Sequence, residues 1–468
     1  MTAELPLISL KKYVKELDDS LILGLKAFDE EKQYKLYSAM LNATDQIHFY
    51  DAIQRKDTVI FRLNGFSINL ANGEIAFKTK VSPIFYKNVD ELIPLLKKNV
   101  KSTLYIVAKL GYVRKTKRGR TKVYANQIKI VVGDYDEDTA KTLLSEYNPL
   151  DLLCYALGYE PMPETKALLL PRIIPQFKPF NLPVNVIQFT PPETGKTHTA
   201  KMLTVITNSY HALNFPSRAK LIGDARFNSY GLCYKYDTIY VEEFEKMSGK
   251  KLDEFKEDYE ALLTGLEQGK WQREKSSKTD IDYFNPVSFC LFGNVKDKTI
   301  DEYNLNAFSK SSRELIKQII EDMTGLNISP FIQRFVYCEY LTETPTIMQY
   351  ILRNENNEPL YLNPAVSRAI FDILTQECIS NAKKPKDETS RLERHFNTLY
   401  SILKTLNIEI DDDTIERLVK GEMTFMNVLT AKSNDTNTKE TQINEEQENT
   451  NELDEKTLGE LLEAQNWL

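Results

Sequence analysis

Apolar and polar positions change texture several times along this chain, and each change predicts a different kind of element. Leu7, Leu10, Tyr13, Leu17, Leu21 and Leu25 recur at helical spacing through the first 35 or so residues. Runs such as TVIFRL, FSINL, STLYIVAKL and KVYANQIKIVVG, between about Asp57 and Asp134, are rich in β-branched and aromatic residues and predict a small, mostly β module. The stretch from Tyr147 to Phe180 is apolar but punctuated by Pro161, Pro163, Pro171, Pro175 and Pro179, so short helices in a connector are expected there. From Val184 onward strand-like runs alternate with helical ones, the pattern of a parallel sheet flanked by helices, an α/β core. Asn354 to Met426 reads as mainly helical. The expected organisation is a helical and β-rich module over 1–146, a connector over 147–183, an α/β core over 184–353, a helical lid over 354–430 and a tail over 431–468.

Length and composition fit that division. A chain of 468 residues, 42% hydrophobic and 27% charged, is too long for one compact core and ordinary for a folded soluble protein. No apolar run approaches the roughly 18 residues of a membrane helix, and the N-terminus lacks a signal pattern, so a cytoplasmic protein without a membrane partner is expected. The five cysteines are scattered, never in a CxxC pair, and the four histidines form no HExxH. Neither a disulfide framework nor a zinc site follows.

The net charge of −7 is local. Residues 431–468 hold ten acidic residues against three lysines, which accounts for the whole excess and leaves the body formally neutral. This acidic segment has the composition of a disordered tail. Its end, TLGELLEAQNWL, regains an apolar pattern and suits either a short helix docking on a partner protein or a frayed terminus.

Three motifs carry chemistry. The strand VNVIQFT runs into PPETGKTH, with Gly195-Lys196-Thr197 opening an amphipathic helix. A phosphate-binding loop needs this context: backbone N–H groups at a helix N-terminus cradle phosphates, Lys196 reaches the β/γ oxygens and Thr197 offers a hydroxyl to Mg²⁺. The nucleotide contacts are expected from Thr190, Pro191, Pro192, Glu193, Thr194, Gly195, Lys196, Thr197 and His198. Thr190 replaces the first glycine of GxxxxGK[ST], which predicts a less permissive loop entry. Further on, YDTIYVEEFEKM is an apolar strand ending in two carboxylates, with Glu242 assigned to the metal and Glu243 to the attacking water. A third strand, PVSFCLFGNV, ends at Asn294, where AAA+ ATPases and superfamily 3 helicases place a residue that positions the water. Beyond it Arg334 opens the strand RFVYCEYL. In ring ATPases such an arginine enters the neighbouring subunit's site; here the alternative is a structural arginine paired with Glu339 or the lid.

Two basic segments suggest nucleic acid. KLGYVRKTKRGRTKVYANQIK holds seven basic residues between Lys109 and Lys122 with no acid among them. A hairpin is expected, its tip carrying Arg114, Lys115, Lys117, Arg118 and Arg120, with Tyr112 and Tyr124 beside it to stack on bases and Lys122 a further phosphate contact. The segment GKWQREKSSK offers Lys270, Arg273 and Lys275 at the place where AAA+ helicases carry a pore hairpin, with Trp271 either exposed there or packed on the core.

The runs LDLLCYALGYEPMPETKALLLPRIIPQFKPFNLPVNVIQFTPPETGKTH, AKLIGDARFNSYGLCYKYDTIYVEEFEKM, LLTGLEQGKWQREKSS and FCLFGNV resemble the BrxL family, over about Asn148 to Arg334. These are Lon-related AAA+ ATPases of bacteriophage-exclusion systems, akin to minichromosome-maintenance helicases. The resemblance implies a homo-oligomeric, hexamer-based ring, an upstream DNA-engaging domain and ATP hydrolysis with Mg²⁺. It matches Lys196 and Thr197 to the phosphate loop, Glu242 and Glu243 to the acidic pair, Asn294 to the sensor and Arg334 to the finger. The family's Asp-Arg pair is Gln333-Arg334 here, so the finger lacks its orienting acid. In SRLERHFNTLYSILKTL, Arg391, or failing it Arg394, matches the second sensor arginine; a surface helix with two arginines is the other reading. No segment after Arg391 is long enough for the Lon-like domain of longer members, so proteolysis is not expected. The function expected is a DNA-dependent ATPase that translocates on or remodels DNA. A protein-remodelling ATPase and a nucleotide-assembled DNA-binding scaffold are the alternatives.

Overall fold

The structure, a computed structural model, describes residues 3–9, 12, 58–62, 66–69, 73–77, 83–87, 92, 104–115, 121–132, 136–224, 229–273, 281–295, 311–382 and 390–431. The acidic tail and all but the first positions of the N-terminal helical stripe lie outside these residues.

At the centre is a five-stranded parallel sheet in the order Phe335–Tyr340, Asn185–Thr190, Ser288–Asn294, Thr238–Val241, Ser209–Ala212. Its strands Asn185–Thr190, Thr238–Val241 and Phe335–Tyr340 are buried at every position because both faces are covered, as parallel sheets require. Side chains alternate between two cores. Val186 packs with helices Pro149–Ala156, Pro163–Ile173, Lys196–Ile206, Pro364–Asn381 and Arg391–Thr405. Ile187 and Phe189 face helices Tyr259–Gln268 and Ser312–Thr324 on the other side.

Segment 147–183 is therefore a layer of this core, with Leu168, Leu170 and Ile173 fully buried. Pro171 sits inside the helix Pro163–Ile173, in its last turn, rather than ending it, and Pro163 occupies the first turn where no amide partner is lost. The C-terminal region carries helices Pro364–Asn381, Arg391–Thr405 and Asp412–Lys420. Leu7, expected on a helical stripe, instead lies in a strand, Leu7–Ser9, paired antiparallel with Leu360–Leu362. An available strand edge outweighs weak local propensity over so short a segment.

The β module is a separate six-stranded sheet. Its long hairpin pairs Leu104–Lys115 with Thr121–Val132, Lys115 opposite Thr121, as expected for the basic segment. Among the described residues no helix is long and apolar enough to cross a membrane, and no group of side chains is arranged to hold a metal through histidine, cysteine and carboxylates in threes. The five cysteines are free and buried.

Candidate nucleotide site

All parallel strands of the central sheet end on one edge, and the chemistry-bearing residues collect there. The strand Asn185–Thr190 turns through Pro191 and Pro192 into the helix Lys196–Ile206. Two residues of this turn are left-handed, Glu193 (φ 62°) and Gly195 (φ 73°), which curls the backbone into a concave run of amides. Gly195 is needed twice over: its φ suits glycine, and a Cβ there would lie 2.4 Å from Tyr159 Oη. No side chain caps the first turn of the helix, so its leading N–H groups remain available to an anion.

Thr190 resolves the missing first glycine. It is the last strand residue, paired with Asn294, and needs no positive φ. Its hydroxyl is 2.9 Å from Thr194 Oγ1 and accepts from Lys196 Nζ at 3.0 Å. Lys196 also donates to the carbonyls of Thr190 and Pro191, so its ammonium is folded onto the loop. Burial, with the Arg172 guanidinium next, lowers this ammonium to about 7; the carboxylates Glu245 and Glu242 oppose the shift. An incoming polyphosphate supplies the missing counter-charge, and the cradle fits such a group.

Glu242 follows the strand Thr238–Val241 directly. His211 Nε2 lies 3.0 Å from its Oε1, and the Thr197 hydroxyl also hydrogen-bonds to it. Burial alone would raise this carboxyl, but His211 and Thr197 outweigh it and hold the group below its ordinary value. Thr197 and a buried, ionised carboxylate side by side suit Mg²⁺, which would polarise the terminal phosphate. Glu243 is left-handed (φ 49°), pairs with Lys246 and is half exposed, open to a water. Asn294, at the end of its strand, donates to Glu245 Oε1 at 3.2 Å. The structure thus brings Thr190, Thr194, Lys196, Thr197, Glu242 and Asn294 together. Pro192 and Glu193 form the exposed loop tip. The His198 ring is engaged by the Leu157 carbonyl, Tyr159 and Tyr361, leaving only its backbone for the loop.

The arginines lie on the opposite edge. Arg334 precedes its strand, and its carbonyl accepts from Asn185 Nδ2 at the start of the neighbouring one. Five residue steps along Asn185–Thr190 separate that edge from the loop, roughly 17 Å at about 3.3 Å per step. There Glu267 gathers three guanidinium groups: Arg334 Nη2 at 2.8 Å, Arg391 Nε at 2.8 Å and Nη2 at 3.0 Å, and Arg394 Nη2 at 3.4 Å. Arg334 is paired neither with Glu339 nor with a lid acid. Gln333 accepts from Arg391 at 3.1 Å, and the acid absent next to Arg334 in sequence is supplied by Glu267 of the helix Tyr259–Gln268. Arg391 stands with Arg334 and away from this chain's own Lys196.

In the basic hairpin the structure describes only the backbone of Arg114 and Lys115, while Lys117, Arg118 and Arg120 lie outside the described residues, as does Lys275. Tyr124 is corrected, and Lys122 has a partner within the module. Glu74, buried on the strand Glu74–Phe77, two strands over with Ile84–Lys87 between, accepts from Tyr124 Oη at 2.7 Å and Lys122 Nζ at 3.0 Å, and Lys122 sits over the Phe85 ring. A buried carboxylate demands such partners: Tyr124, itself buried, belongs to the module's core rather than to a stacking surface, while the half-buried Lys122 is paired with Glu74. In the second basic segment Lys270–Arg273 pairs with Ile281–Phe284 as a hairpin; Lys270 is exposed and Trp271 is fully buried, its Nε1 donating to Asn285 O at 3.0 Å.

Sequence reasoning missed Arg172, His211, Glu245 and Glu267. Nothing in the order of residues marks them: each gains its role by meeting, in space, a residue that a motif had marked.

Residues 125–340 match the family model described as "Lon-like protease BrxL-like, ATPase domain". Two relatives span most of the chain. Uncharacterized protein 440 of Sulfolobus islandicus rod-shaped virus 1 is 23% identical over 419 residues, 84% of this chain and 87% of that protein. Uncharacterized protein ORF426 of Acidianus filamentous virus 1 is 23% identical over 420 residues, 84% of this chain and 92% of that one. The matched span encloses the whole loop, the acidic turn and the hairpin of Lys270–Arg273 with Ile281–Phe284, so it is over residues 125–340 that the chain is similar to the BrxL-like ATPase domain.

Proposed function

We propose that this chain is a subunit of an oligomeric ATPase that engages DNA and couples ATP hydrolysis to moving along it or remodelling it. The observation that carries the reading is the separation of the catalytic parts. Lys196, Thr197, Glu242 and Glu243 gather at one edge of the sheet, while Arg334, Arg391 and Arg394 gather about Glu267 at the other. A nucleotide held by one copy is out of reach of that copy's own arginines, so a second copy would supply them, which a closed ring does for every site. In this arrangement Lys196 and the loop amides hold the phosphates, Glu242 and Thr197 hold Mg²⁺, Glu243 orients the water and Arg334 meets the charge developing on the transferring phosphoryl group.

DNA is the favoured partner because two hairpins carry basic residues, Arg114 and Lys115 on one and Lys270 and Arg273 on the other. Relatives encoded by viruses suit replication of a mobile element as the host process.

The test is ATP turnover by the purified chain, with and without single- and double-stranded DNA, beside Lys196→Ala and Glu243→Gln. Turnover that rises with DNA and vanishes in both variants is expected. Turnover indifferent to DNA would turn the reading toward protein remodelling, and binding without turnover toward a nucleotide-assembled scaffold.

A further inference from the structure

A polar chain runs through the otherwise apolar core on one face of the sheet, and the reaction chemistry uses none of it. Its first member, Arg172, is fully buried on the helix Pro163–Ile173. Its Nε donates to Gln188 Oε1 at 2.9 Å, its Nη1 to Thr199 Oγ1 at 3.2 Å and its Nη2 to Thr194 Oγ1 at 3.4 Å. Thr194 is in the phosphate loop, and Thr199 lies in the first turn of the helix that follows it.

From Gln188 the chain crosses the sheet. Gln188 and Glu339 are direct partners on adjacent strands, and Gln188 Nε2 donates to Glu339 Oε2 at 2.8 Å. The amide is thus oriented at both ends, its oxygen toward the guanidinium and its nitrogen toward the carboxylate. Tyr337, two residues before Glu339 and so on the same strand face, donates its hydroxyl to Glu339 Oε1 at 2.8 Å. The same hydroxyl accepts the backbone N–H of Phe425 at 2.9 Å, at the start of the helical stretch 425–431. Tyr337 and Phe425 also pack ring to ring, with centroids 4.7 Å apart.

A buried guanidinium and a buried carboxylate joined through one amide are costly to desolvate, and neither tolerates loss of its partners. The two ends of the chain therefore constrain each other. We infer that Arg172 is a positioning residue for the phosphate loop, and that the relay through Gln188, Glu339 and Tyr337 ties the loop's geometry to the seating of the C-terminal helices at Phe425. The inference rests on the loop being the nucleotide site, but the coupling itself exists without nucleotide.

The experiment is amide hydrogen exchange on the full chain, alone and with Mg-ADP, for the wild type, Tyr337→Phe and Glu339→Gln. Tyr337→Phe removes one hydroxyl and leaves the ring packed; Glu339→Gln breaks the relay one step earlier if the first variant folds poorly. Without nucleotide, either variant is expected to speed exchange severalfold over residues 194–199, while the strand Thr238–Val241 stays as protected as in the wild type. With Mg-ADP, the slowing of exchange over 424–430 expected in the wild type is lost, and affinity for Mg-ADP falls by about two- to tenfold, the worth of one hydrogen bond. Unchanged exchange over 194–199 would overturn the relay, and so would uniform acceleration across the sheet, which is what a packing role alone gives. Failure of the wild type to bind Mg-ADP would instead sink the nucleotide reading, while the comparison without nucleotide still decides the relay.

Discussion

His395 shows how far a single residue can be pushed by its surroundings. Burial first, and then the guanidinium groups of Arg313, Arg394 and Arg391, lower its imidazole to about 3. The unfolded chain takes up that proton near the ordinary value of 6.5, so between about 3 and 6.5 the unfolded state binds more protons. Stability contributed at this position is therefore present above 6.5 and lost as the pH falls through that window. Thermal melts of the wild type and of His395→Gln should converge at acid pH, the variant losing less on going from pH 7 to pH 5; parallel curves would contradict the assignment. At the same scale, Thr190 shows why a motif can lose a glycine. The strand continues through that position and needs no positive φ, so the threonine hydroxyl becomes a partner for Lys196 instead of an obstacle.

Among the elements, the helix Tyr259–Gln268 and the hairpin after it are locked by a glycine and a tryptophan. A Cβ on Gly265 would lie 2.3 Å from the ring of Trp271, which is fully buried and hydrogen-bonded through its Nε1. Alanine in a helix gains up to about 1 kcal/mol over glycine. Forcing a packed, hydrogen-bonded indole to move costs about 1–3 kcal/mol. Gly265→Ala is expected to destabilise by roughly 1–2 kcal/mol on balance, read as a lower unfolding midpoint in denaturant. A raised midpoint would show that Trp271 can shift freely. The same helix presents Glu267, so this substitution should also disturb the arginine cluster.

For the whole molecule, the two edges of the sheet set the expectations. On the proposed ring, Lys196→Ala would remove a subunit's grip on phosphate, and Arg334→Ala would remove what it lends to a neighbour. Each alone should abolish turnover, whereas a mixture of the two should regain a fraction of it, because some interfaces then join an intact loop to an intact arginine. Persistent inactivity of the mixture, with mixed assemblies shown to form, would place both functions in one chain. DNA binding by the β module should weaken with salt, and Arg114→Ala with Lys115→Ala should lower the slope of log affinity against log salt by about one for each phosphate no longer neutralised. An unchanged slope would remove the hairpin from the interface.

What the sequence determined by itself was whatever depends on local order. Strand, tight turn and helix around Lys196, the acidic turn at Glu242 and Glu243, and the polar strand end at Asn294 were legible because phosphate binding needs fixed residue types at fixed short spacings. The parallel sheet followed from the alternation of buried strands and amphipathic helices. Tertiary structure alone decided which residues answer them. His211 reaches Glu242 across neighbouring strands, Glu267 replaces an acid missing beside Arg334, and Arg172 meets the loop from a segment that read only as a connector. It also buried Tyr124 beneath the basic hairpin, where Glu74 pairs with both its hydroxyl and Lys122. Buried charges choose partners by distance in space, where desolvation makes an unpaired group costly, and that distance is not written in the order of the chain.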